Sequence, residues 1–289
     1  MLLVTLITAL LVPTCGTVQT CKQPVHRELL TSQNSKIGVL YAHGLFDHSQ
    51  SKTTQKLLHA LVKNDIDVIT QDMRGYGITG KNSKKLGHFE ADQVVHDLFE
   101  SALLIPQNKL VLFGHSAGTL IALALYSKYK EILLKHDKEI VGIILSAPAF
   151  IPGEYIAPTP FQRAILPLLT TFIPEMGLCD FDESKKLEVG KDGLRHNKLS
   201  FRAGDQVLTL GKKFICEAHT FPEDLPFYMF HSTNDKVTNY EGTVDFYSKL
   251  ASIRKDIDIV NWGRHELYSE TKRREFFLKK IVAFIHDNE

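Results

Sequence analysis

Short, almost continuously apolar stretches alternate with longer helix-like ones along most of the chain, and this alternation constrains the fold more than any other feature. The short stretches predict strands at residues 37–42, 67–71, 109–113, 140–146, 227–231 and 256–260. The longer stretches predict helices at residues 50–64, 90–105, 119–130, 241–252 and 271–286. A strand that is apolar along its whole length is buried on both faces, which is typical of a parallel sheet. We therefore predict an α/β fold in which a mostly parallel sheet carries helices on both faces.

The interval between residues 149 and 216 interrupts this alternation. It lacks a strong strand signal, and six prolines fall between Pro148 and Pro174 among large apolar side chains. Such an insert is too apolar for a linker, and its prolines would break one long helix. We expect residues 149–216 to form a helical cap over one edge of the sheet, between a first core part at 17–148 and a second at 217–289.

The N-terminal residues 1–16 allow two interpretations. Residues 2–12 are an apolar run that is too short to span a bilayer as a helix. The run fits the hydrophobic region of a signal peptide with small residues after it, although a basic start is missing. The alternative is a buried first strand, because Val, Ile and Thr are frequent there. The signal peptide is slightly favoured and implies a secretory or extracellular location. A cytoplasmic, membrane-associated protein is the alternative.

Charge and cysteine spacing argue against several other classes of protein. The chain has 34 basic and 33 acidic side chains, a net charge of +1 and no block of like charge, so nothing points to nucleic acid. Its four cysteines match no metal-site spacing and no dense disulfide framework, which favours free or buried thiols. A Cys15–Cys21 bridge would require an oxidising compartment.

The string Gly114-His115-Ser116-Ala117-Gly118 stands between a predicted strand and a predicted helix. This G-x-S-x-G pattern is a weak signal alone, but a strand before it and a helix after it are the context that it requires. The serine must lie on a strained turn with its hydroxyl exposed, where side chains at the two glycines would collide with backbone. The helix also points its N-terminal N–H groups at the reacting carbonyl oxygen. Ser116 is therefore the candidate nucleophile.

Five further stretches carry a resemblance to a known family. They are residues 41–49 (YAHGLFDHS), 72–77 (DMRGYG), 192–196 (DGLRH), 231–235 (HSTND) and 264–270 (RHELYSE). With the serine motif they resemble the monoacylglycerol lipase and lysophospholipase family of α/β-hydrolases, over nearly all of the chain beyond about residue 30. The resemblance implies an α/β-hydrolase fold and a serine hydrolase.

The chain order of an α/β-hydrolase, in which the nucleophile is followed by the acid and then by the histidine, selects the other catalytic candidates. Only His265 and His286 follow the carboxylates near the strand at 227–231. His286 falls on the polar side of the last predicted helix, whereas His265 follows a strand, where active-site loops gather. Asp235 also follows a strand, while Glu223 and Asp224 precede it. We predict Asp235 as the acid and His265 as the base.

Two backbone N–H groups are expected to form an oxyanion hole. One belongs to Ala117, the residue after the nucleophile, and the resemblance assigns the other to Leu45; each such donor is worth about 2.7–4 kcal/mol. His43, His48 and His115 match no zinc motif, so we expect no metal. We expect His43 and His48 to hydrogen-bond to loop backbone and His115 to pack beside the turn. The glycines at 75–80 lack a following helix pattern and are no dinucleotide site, so no cofactor is expected.

The apolar cap indicates the class of substrate. Each CH₂ group of an acyl chain buried beneath it would contribute about 0.8 kcal/mol, before ordering costs. We therefore expect the substrate to be a small lipid ester, namely monoacylglycerol, which the protein would cleave to fatty acid and glycerol. Lysophospholipase, general carboxylesterase and peptidase activity are the alternatives. The outer face of the cap is a candidate contact with a membrane or lipid surface. A non-catalytic lipid-binding protein is the alternative of another class, and it would lack a triad member.

Overall fold

The computed structural model describes residues 4–5, 24–180, 192–268 and 274–289. In chain order its strands are β1 (Val4–Thr5), β2 (Arg27–Leu30), β3 (Ile37–Ala42), β4 (Asp67–Gln71), β5 (Lys109–His115), β6 (Glu139–Ser146), β7 (Gly177–Asp180), β8 (Lys198–Ser200), β9 (Phe227–Ser232) and β10 (Lys255–Val260). Its helices are α1 (Lys52–Val62), α2 (Gly77–Ser83), α3 (Ala91–Leu104), α4 (Ala117–Lys135), α5 (Pro160–Phe172), α6 (Phe201–Glu217), α7 (Tyr240–Lys249) and α8 (Arg274–His286).

A single large sheet forms the centre of the molecule, with the strand order β1-β2-β4-β3-β5-β6-β9-β10. Neighbouring strands from β4 to β10 run parallel, whereas β1 and β2 are antiparallel at one edge. The predicted strands and helices are all present, with ends that differ by a few residues. The α/β fold and its mostly parallel sheet are therefore confirmed.

Alternate residues of the central strands enter two separate cores. In β5, Leu110 and Leu112 belong to the core beneath α3, α4, α6 and α7, while Val111 and Phe113 belong to the core beneath α1 and α8. Burial of each such side chain contributes roughly 1.5–3 kcal/mol. Because both faces are covered, these strands are apolar at consecutive positions, which explains their strong sequence signal.

The interval between β6 and β9 departs from the expectation of short helices. It contains α5, with Pro167 inside it, and an antiparallel ribbon of β7 and β8 that no sequence signal predicted. It ends in the 17-residue α6, which packs on α5 and also on α4 and α7. A Cβ atom at Gly211 of α6 would lie 2.4 Å from the carbonyl oxygen of Phe150, so this helix lies directly on the chain that leaves β6. The division of the chain at 149–216 stays a prediction.

A helix that was not predicted, α2, begins within the glycine-rich stretch after β4. Its first N–H groups are occupied by the carboxylate of Asp72, whose Oδ2 accepts from Ile78 at 2.7 Å and from Thr79 at 3.2 Å. A Cβ atom at Gly77 would lie 2.4 Å from the same carboxylate. The sequence pattern did not predict this helix, because Asp72 stabilises the helix start from outside the local pattern.

Most of the N-terminal interval falls outside the described residues, including Cys15 and Cys21. Val4 and Thr5 pair with Leu30 and Leu29 of β2. The choice between a signal peptide and a first strand at 1–16 stays a prediction. Within the part of the chain that is described, no helix has both the length and the apolarity needed to cross a membrane.

Candidate active site

Ser116 lies at the sharp turn between β5 and α4. Its backbone angles are φ 53° and ψ −125°, a conformation that costs an L-residue on the order of 1–3 kcal/mol. A Cβ atom at Gly118 would lie 2.1 Å from the carbonyl oxygen of Ala42, and one at Gly114 would lie 2.4 Å from the Cα atom of Thr119. Both positions therefore require glycine, for the reason that the G-x-S-x-G pattern suggests.

Hydrogen bonds hold this strained turn. The Ser116 N–H donates to the carbonyl oxygen of Ser146 at 2.9 Å, and the Thr119 hydroxyl donates to the Ser116 carbonyl oxygen at 2.6 Å. The ring of His115 packs beside the turn, as expected, with its Nδ1 3.1 Å from the Ser146 hydroxyl. Burial holds the pKa of His115 well below its usual value, so this ring is neutral.

His265 contacts the carboxylate of Asp235. The His265 Nδ1 lies 2.7 Å from Asp235 Oδ2, and both residues are buried. An ionised carboxylate only accepts hydrogen bonds, so Nδ1 carries a proton and donates it. A neutral ring in this tautomer has Nε2 as its basic nitrogen, which is the form that a general base requires.

Five hydrogen bonds converge on the Asp235 carboxylate. Its Oδ1 accepts from the backbone N–H groups of Val237 and Thr238 at 2.7 and 3.1 Å. Its Oδ2 accepts from His265, from His231 Nε2 at 3.1 Å and from the Thr238 hydroxyl at 2.9 Å. Burial alone would raise the pKa of Asp235, but the two histidines outweigh burial and hold the pKa well below its usual range. The carboxylate is therefore ionised at neutral pH.

The three predicted triad residues occupy loops at the carboxyl end of the parallel strands. Ser116 follows β5, Asp235 follows β9 and His265 follows β10. The ring centroids of His115, the neighbour of Ser116, and His265 are 4.8 Å apart. The structure thus brings the serine turn, the imidazole and the carboxylate into one group.

The residues that chain order rejected lie at the amino end of the strands. His286 Nε2 contacts the carbonyl oxygen of Asn64, just before β4, at 3.0 Å. The carbonyl oxygen of Glu223 accepts from the N–H of Ile253, just before β10, at 2.8 Å. A six-residue strand is roughly 20 Å long, so neither residue reaches the carboxyl end.

The loop after β3 packs directly against the serine. A Cβ atom at Gly44 would lie 2.8 Å from Ser116 Cβ and 3.4 Å from Ser116 Oγ, so only glycine permits this approach. His43 holds the loop, because its Nε2 accepts from the N–H of Met73 at 2.9 Å and its Nδ1 then donates to the Gly44 carbonyl oxygen at 2.7 Å. The expected bonding of His43 to loop backbone is confirmed.

Leu45 and Ala117 belong to the two chain segments that meet at Ser116. Ala117 begins α4, so its N–H has no partner within the helix, and Leu45 directly follows Gly44. Among the described residues, neither backbone N–H donates to another backbone group. Two such donors next to a reactive hydroxyl are the arrangement that stabilises an oxyanion.

Sequence reasoning missed a buried charge cluster beside His265, composed of Asp47, Arg195 and Glu266. Arg195 Nη2 lies 2.7 Å from Asp47 Oδ1, and their side chains are 9% and 6% exposed. Burial would raise the pKa of Asp47, but Arg195 together with His43 and nearby hydrogen bonds outweighs burial and lowers it. The pKa of Glu266 is raised by burial and by the charge of Asp47. The cluster joins the segment after the cap's β7 to the loop after β3.

A neighbouring contact corrects one expectation. His48 does not bond to loop backbone as expected, because its Nε2 lies 2.9 Å from Asp192 Oδ2. Asp192 also accepts from the N–H groups of Leu194 and Arg195 at 3.0 Å. The Arg195–Asp47 and His48–Asp192 pairs are therefore among the polar contacts that join cap and core, and only the DGLRH resemblance pointed towards this segment. Across the described ranges, no group of three His, Cys, Asp or Glu side chains is arranged to hold a metal ion.

A cavity of about 220 Å³ lies between the cap and the core loops. Its lining is largely apolar, and two lining residues connect it to the serine site. Leu45 supplies a candidate oxyanion donor, and the Thr238 hydroxyl lies 3.4 Å from His265 Nδ1. The described lining residues are Leu45, Phe46, Ala149, Pro152, Tyr155, Ile156, Ala157, Pro158, Gln162, Leu166, Leu199, Gly204, Val207, Leu208 and Thr238. The geometry suits an apolar group held beside a serine hydroxyl.

A family model described as serine aminopeptidase S33, named Hydrolase_4, matches residues 33–272. The chain belongs to this family. Hydrolase_4 membership makes it a serine hydrolase, in agreement with the strained Ser116 and the buried pair of Asp235 and His265.

Relatives of this Hydrolase_4 chain include lipases. A monoglyceride lipase of Saccharomyces cerevisiae is 26% identical over 251 residues, which cover 80% of this chain and 78% of the relative. The crystal structure of a Paleococcus ferrophilus monoacylglycerol lipase matches with TM-score 0.76 and 21% identity, covering 92% of this chain and 100% of that one. A soluble variant of the Saccharomyces cerevisiae monoglyceride lipase with a substrate analog matches with TM-score 0.74 and 22% identity, covering 96% and 99%. The similarity to these two solved structures shows that this chain has the α/β-hydrolase fold.

Proposed function

We propose that this serine hydrolase cleaves the ester bond of a single-chain lipid, with monoacylglycerol as substrate and a fatty acid and glycerol as products. The observation that carries the proposal is the apolar cavity beside the serine site, whose lining includes Leu45 and Thr238. A pocket of this lining removes an acyl chain from water at a gain of about 0.8 kcal/mol per CH₂ group. The similarity to a monoglyceride lipase supports the same substrate.

In the proposed acylation step, Ser116 Oγ attacks the ester carbonyl carbon while His265 Nε2 takes the hydroxyl proton. The carbonyl oxygen becomes negative and accepts from the N–H groups of Leu45 and Ala117. Asp235 stabilises the positive imidazole. The bond to glycerol then breaks, His265 gives its proton to the glycerol oxygen, and the acyl group stays on Ser116.

In the proposed deacylation step, water replaces glycerol. His265 takes a proton from the water molecule, whose oxygen attacks the acyl carbon, and the same two N–H groups stabilise the second oxyanion. The bond to Ser116 Oγ breaks, the proton returns to that oxygen, and the fatty acid leaves. Each group thereby regains its starting protonation state.

The lining argues against cleavage of peptides by this chain. An aminopeptidase must hold the positively charged N-terminal amine of its substrate, which requires a carboxylate in the pocket because a buried unpaired charge is costly. No Asp or Glu occurs among the described residues that line the cavity. An uncharged glycerol ester places no such demand on the site.

A covalent probe and a small substrate panel test this function. The full chain is treated with a fluorophosphonate and assayed on monoacylglycerol, lysophosphatidylcholine, a short nitrophenyl ester and an amino-acid nitroanilide. We expect labelling at Ser116 and the highest kcat/KM on monoacylglycerol. Ser116→Ala and His265→Ala should lose turnover, while the matched control His286→Ala should retain it.

Each other outcome identifies a different function. Preference for lysophosphatidylcholine would make the chain a lysophospholipase, and preference for the short ester would make it a general carboxylesterase. Hydrolysis of the nitroanilide alone would make it a peptidase. Absence of both labelling and turnover, with lipid still bound, would leave a non-catalytic lipid-binding protein and refute the proposal.

We also propose that α5 contacts a lipid surface. Phe161, Leu168 and Phe172 lie on one face of this helix and are 72%, 60% and 77% exposed. An apolar stripe on the outside of a cap is typical of an interfacial helix. Such a contact would bring the cavity entrance close to a membrane-dissolved substrate.

Sedimentation with zwitterionic phosphatidylcholine vesicles tests the lipid contact. Replacing Phe161, Leu168 and Phe172 together by serine should reduce the vesicle-bound fraction without changing turnover of a soluble ester. The matched control is Ile253→Ser, since Ile253 is 80% exposed but lies before β10, at the opposite end of the sheet. Equal binding by the triple variant and the control would refute this contact.

A further inference from the structure

A second imidazole, that of His231, contacts the same carboxylate oxygen as His265. His231 Nε2 lies 3.1 Å from Asp235 Oδ2, and both side chains are fully buried. The residue is the fifth of β9, so a strand rather than a flexible loop positions its ring. The Asp235 carboxylate is thereby held between two histidines from two neighbouring strand ends.

The contact with Asp235 determines which tautomer His231 adopts. Because Asp235 is an acceptor only, His231 Nε2 must carry the proton at this contact. His231 Nδ1 lies 2.7 Å from the hydroxyl of Thr243, on α7, which can donate to it. Burial lowers the pKa of His231, in agreement with a neutral ring whose Nδ1 accepts this bond. The Thr243 hydroxyl, which can donate or accept, is compatible with this tautomer and holds the ring with Nε2 towards the acid.

We infer that His231 is a positioning residue, which donates a second imidazole hydrogen bond to Asp235. This bond sets the orientation of the Asp235 carboxylate and the strength with which that carboxylate attracts protonated His265. This inference rests on the proposed function for its role in turnover. The hydrogen bond takes up part of the negative charge on Oδ2, so Oδ2 attracts the protonated form of His265 less strongly. It also prevents the carboxylate from rotating away from His265.

The charged and titratable groups around His265 come from several elements. Besides Asp235 and His231, they are His115 after β5, Asp47 after β3, Arg195 before β8, and Glu266 and Tyr268 on the same loop as His265. All of them stay unchanged when position 231 or 243 is substituted. A change in the titration of His265 in such variants therefore reports the missing donor.

Two substitutions at one position separate positioning from packing. His231→Leu removes the donor, whereas His231→Gln keeps an amide N–H near the position of Nε2. Loss of a hydrogen bond to a charged group corresponds to about a tenfold to one hundredfold effect, so we expect His231→Leu to lower kcat by that factor with little change in KM. His231→Gln should retain kcat within about threefold of the unmodified chain.

The pH dependence provides the readout that a packing defect would not change. In His231→Leu the acidic limb of kcat/KM should move to higher pH by about one unit, because Asp235 stabilises protonated His265 more strongly. NMR titration of the His265 ring C–H should show the same upward shift. This second measurement needs no turnover, so it separates a failure of this inference from a failure of the proposed function.

The outcomes are distinct. An unmoved acidic limb and an unmoved NMR titration in His231→Leu would overturn the inference, whatever happens to kcat. If His231→Leu does not fold, Thr243→Val carries the test, because it keeps His231 but removes the hydroxyl that holds its ring at Nδ1. Thr243→Val should shift the His265 titration in the same direction by a smaller amount, and no shift there would overturn the inference.

Discussion

Replacement of Arg195 by methionine tests the charge cluster of Asp47, Arg195 and Glu266. Methionine keeps the apolar stem and removes the guanidinium. The Arg195–Asp47 pair is a buried one, since its side chains are 9% and 6% exposed, so the small value of a surface ion pair does not apply. Removal of one partner from a buried pair costs about 3–5 kcal/mol, because the other charge is left in a poorly solvated site.

Two structural details place the expected loss at the lower end of that range. Asp47 Oδ2 keeps its hydrogen bond from the Thr54 hydroxyl at 3.0 Å. Glu266, whose pKa is already raised by burial and by Asp47, can take up a proton and remove one negative charge. We therefore expect Arg195→Met to lose about 3 kcal/mol of unfolding free energy. The melting temperature should fall by roughly 2–4 °C for each kcal/mol.

Urea unfolding of a double-mutant cycle measures this loss. Asp47→Asn combined with Arg195→Met should be more stable than Arg195→Met alone by about 2 kcal/mol, because no charge at position 47 is then left unpaired. The matched control is Lys128→Met, which breaks an exposed ion pair of 2.8 Å with Asp92 and should leave the midpoint almost unchanged. A loss below about 1 kcal/mol for Arg195→Met, or a double variant no more stable than the single one, would refute the reasoning.

Three other predictions concern the serine turn and the acid. Gly118→Ala should destabilise the chain by about 1–3 kcal/mol and lower kcat, because its Cβ would lie 2.1 Å from the Ala42 carbonyl oxygen. Unfolding and turnover assays measure both effects. The control Gly177→Ala should be tolerated in the same assays, because the nearest atom to its Cβ would lie 3.6 Å away. Asp235→Asn should lower kcat on the order of 10⁴-fold on a monoacylglycerol by favouring the wrong tautomer of His265, and activity near that of the unmodified chain would contradict the role of Asp235. The folded-state pKa of Asp235 lies below its unfolded value of about 3.9. Ionisation of Asp235 therefore stabilises the fold above that pH, and this stabilisation is lost as the pH falls further. The stability gap between the unmodified chain and Asp235→Asn, measured by urea unfolding from pH 7 to 3, should therefore narrow below about pH 4, and a gap that widens there would be inconsistent with this sign.

The elements that the sequence predicted well are those whose burial is nearly complete. All six residues of β3 are buried, and β5 is buried beyond its first residue, so both strands are apolar without interruption. The serine turn was equally visible, because its two glycines are required by contacts between β5, α4 and the end of β3. In both cases the structural requirement acts on consecutive residues, and consecutive residues are what a sequence pattern records.

The elements that were missed depend on partners far along the chain. The strand β2, between β1 and β4, has one buried residue, Leu30, so it carries little apolar signal. The helix α2 begins on the carboxylate of Asp72, and the ribbon of β7 and β8 pairs across the cap. The long α6 is stabilised by contact with α4 and α7, which the local run of residues does not reveal.

Apolar periodicity and chain order were thus sufficient for the six parallel strands, the turn at Ser116 and the choice of Asp235 and His265 as candidates. Only the tertiary structure showed that His231 hydrogen-bonds to Asp235 and that Arg195 pairs with Asp47. Arg195 and Asp47 are 148 residues apart in the chain. The physical reason is that the free energy of burying an apolar side chain depends little on which apolar residues surround it, so burial leaves a local pattern in the sequence. A hydrogen bond or ion pair requires one particular partner at about 3 Å, and which partner lies there is decided by the order of strands in the sheet.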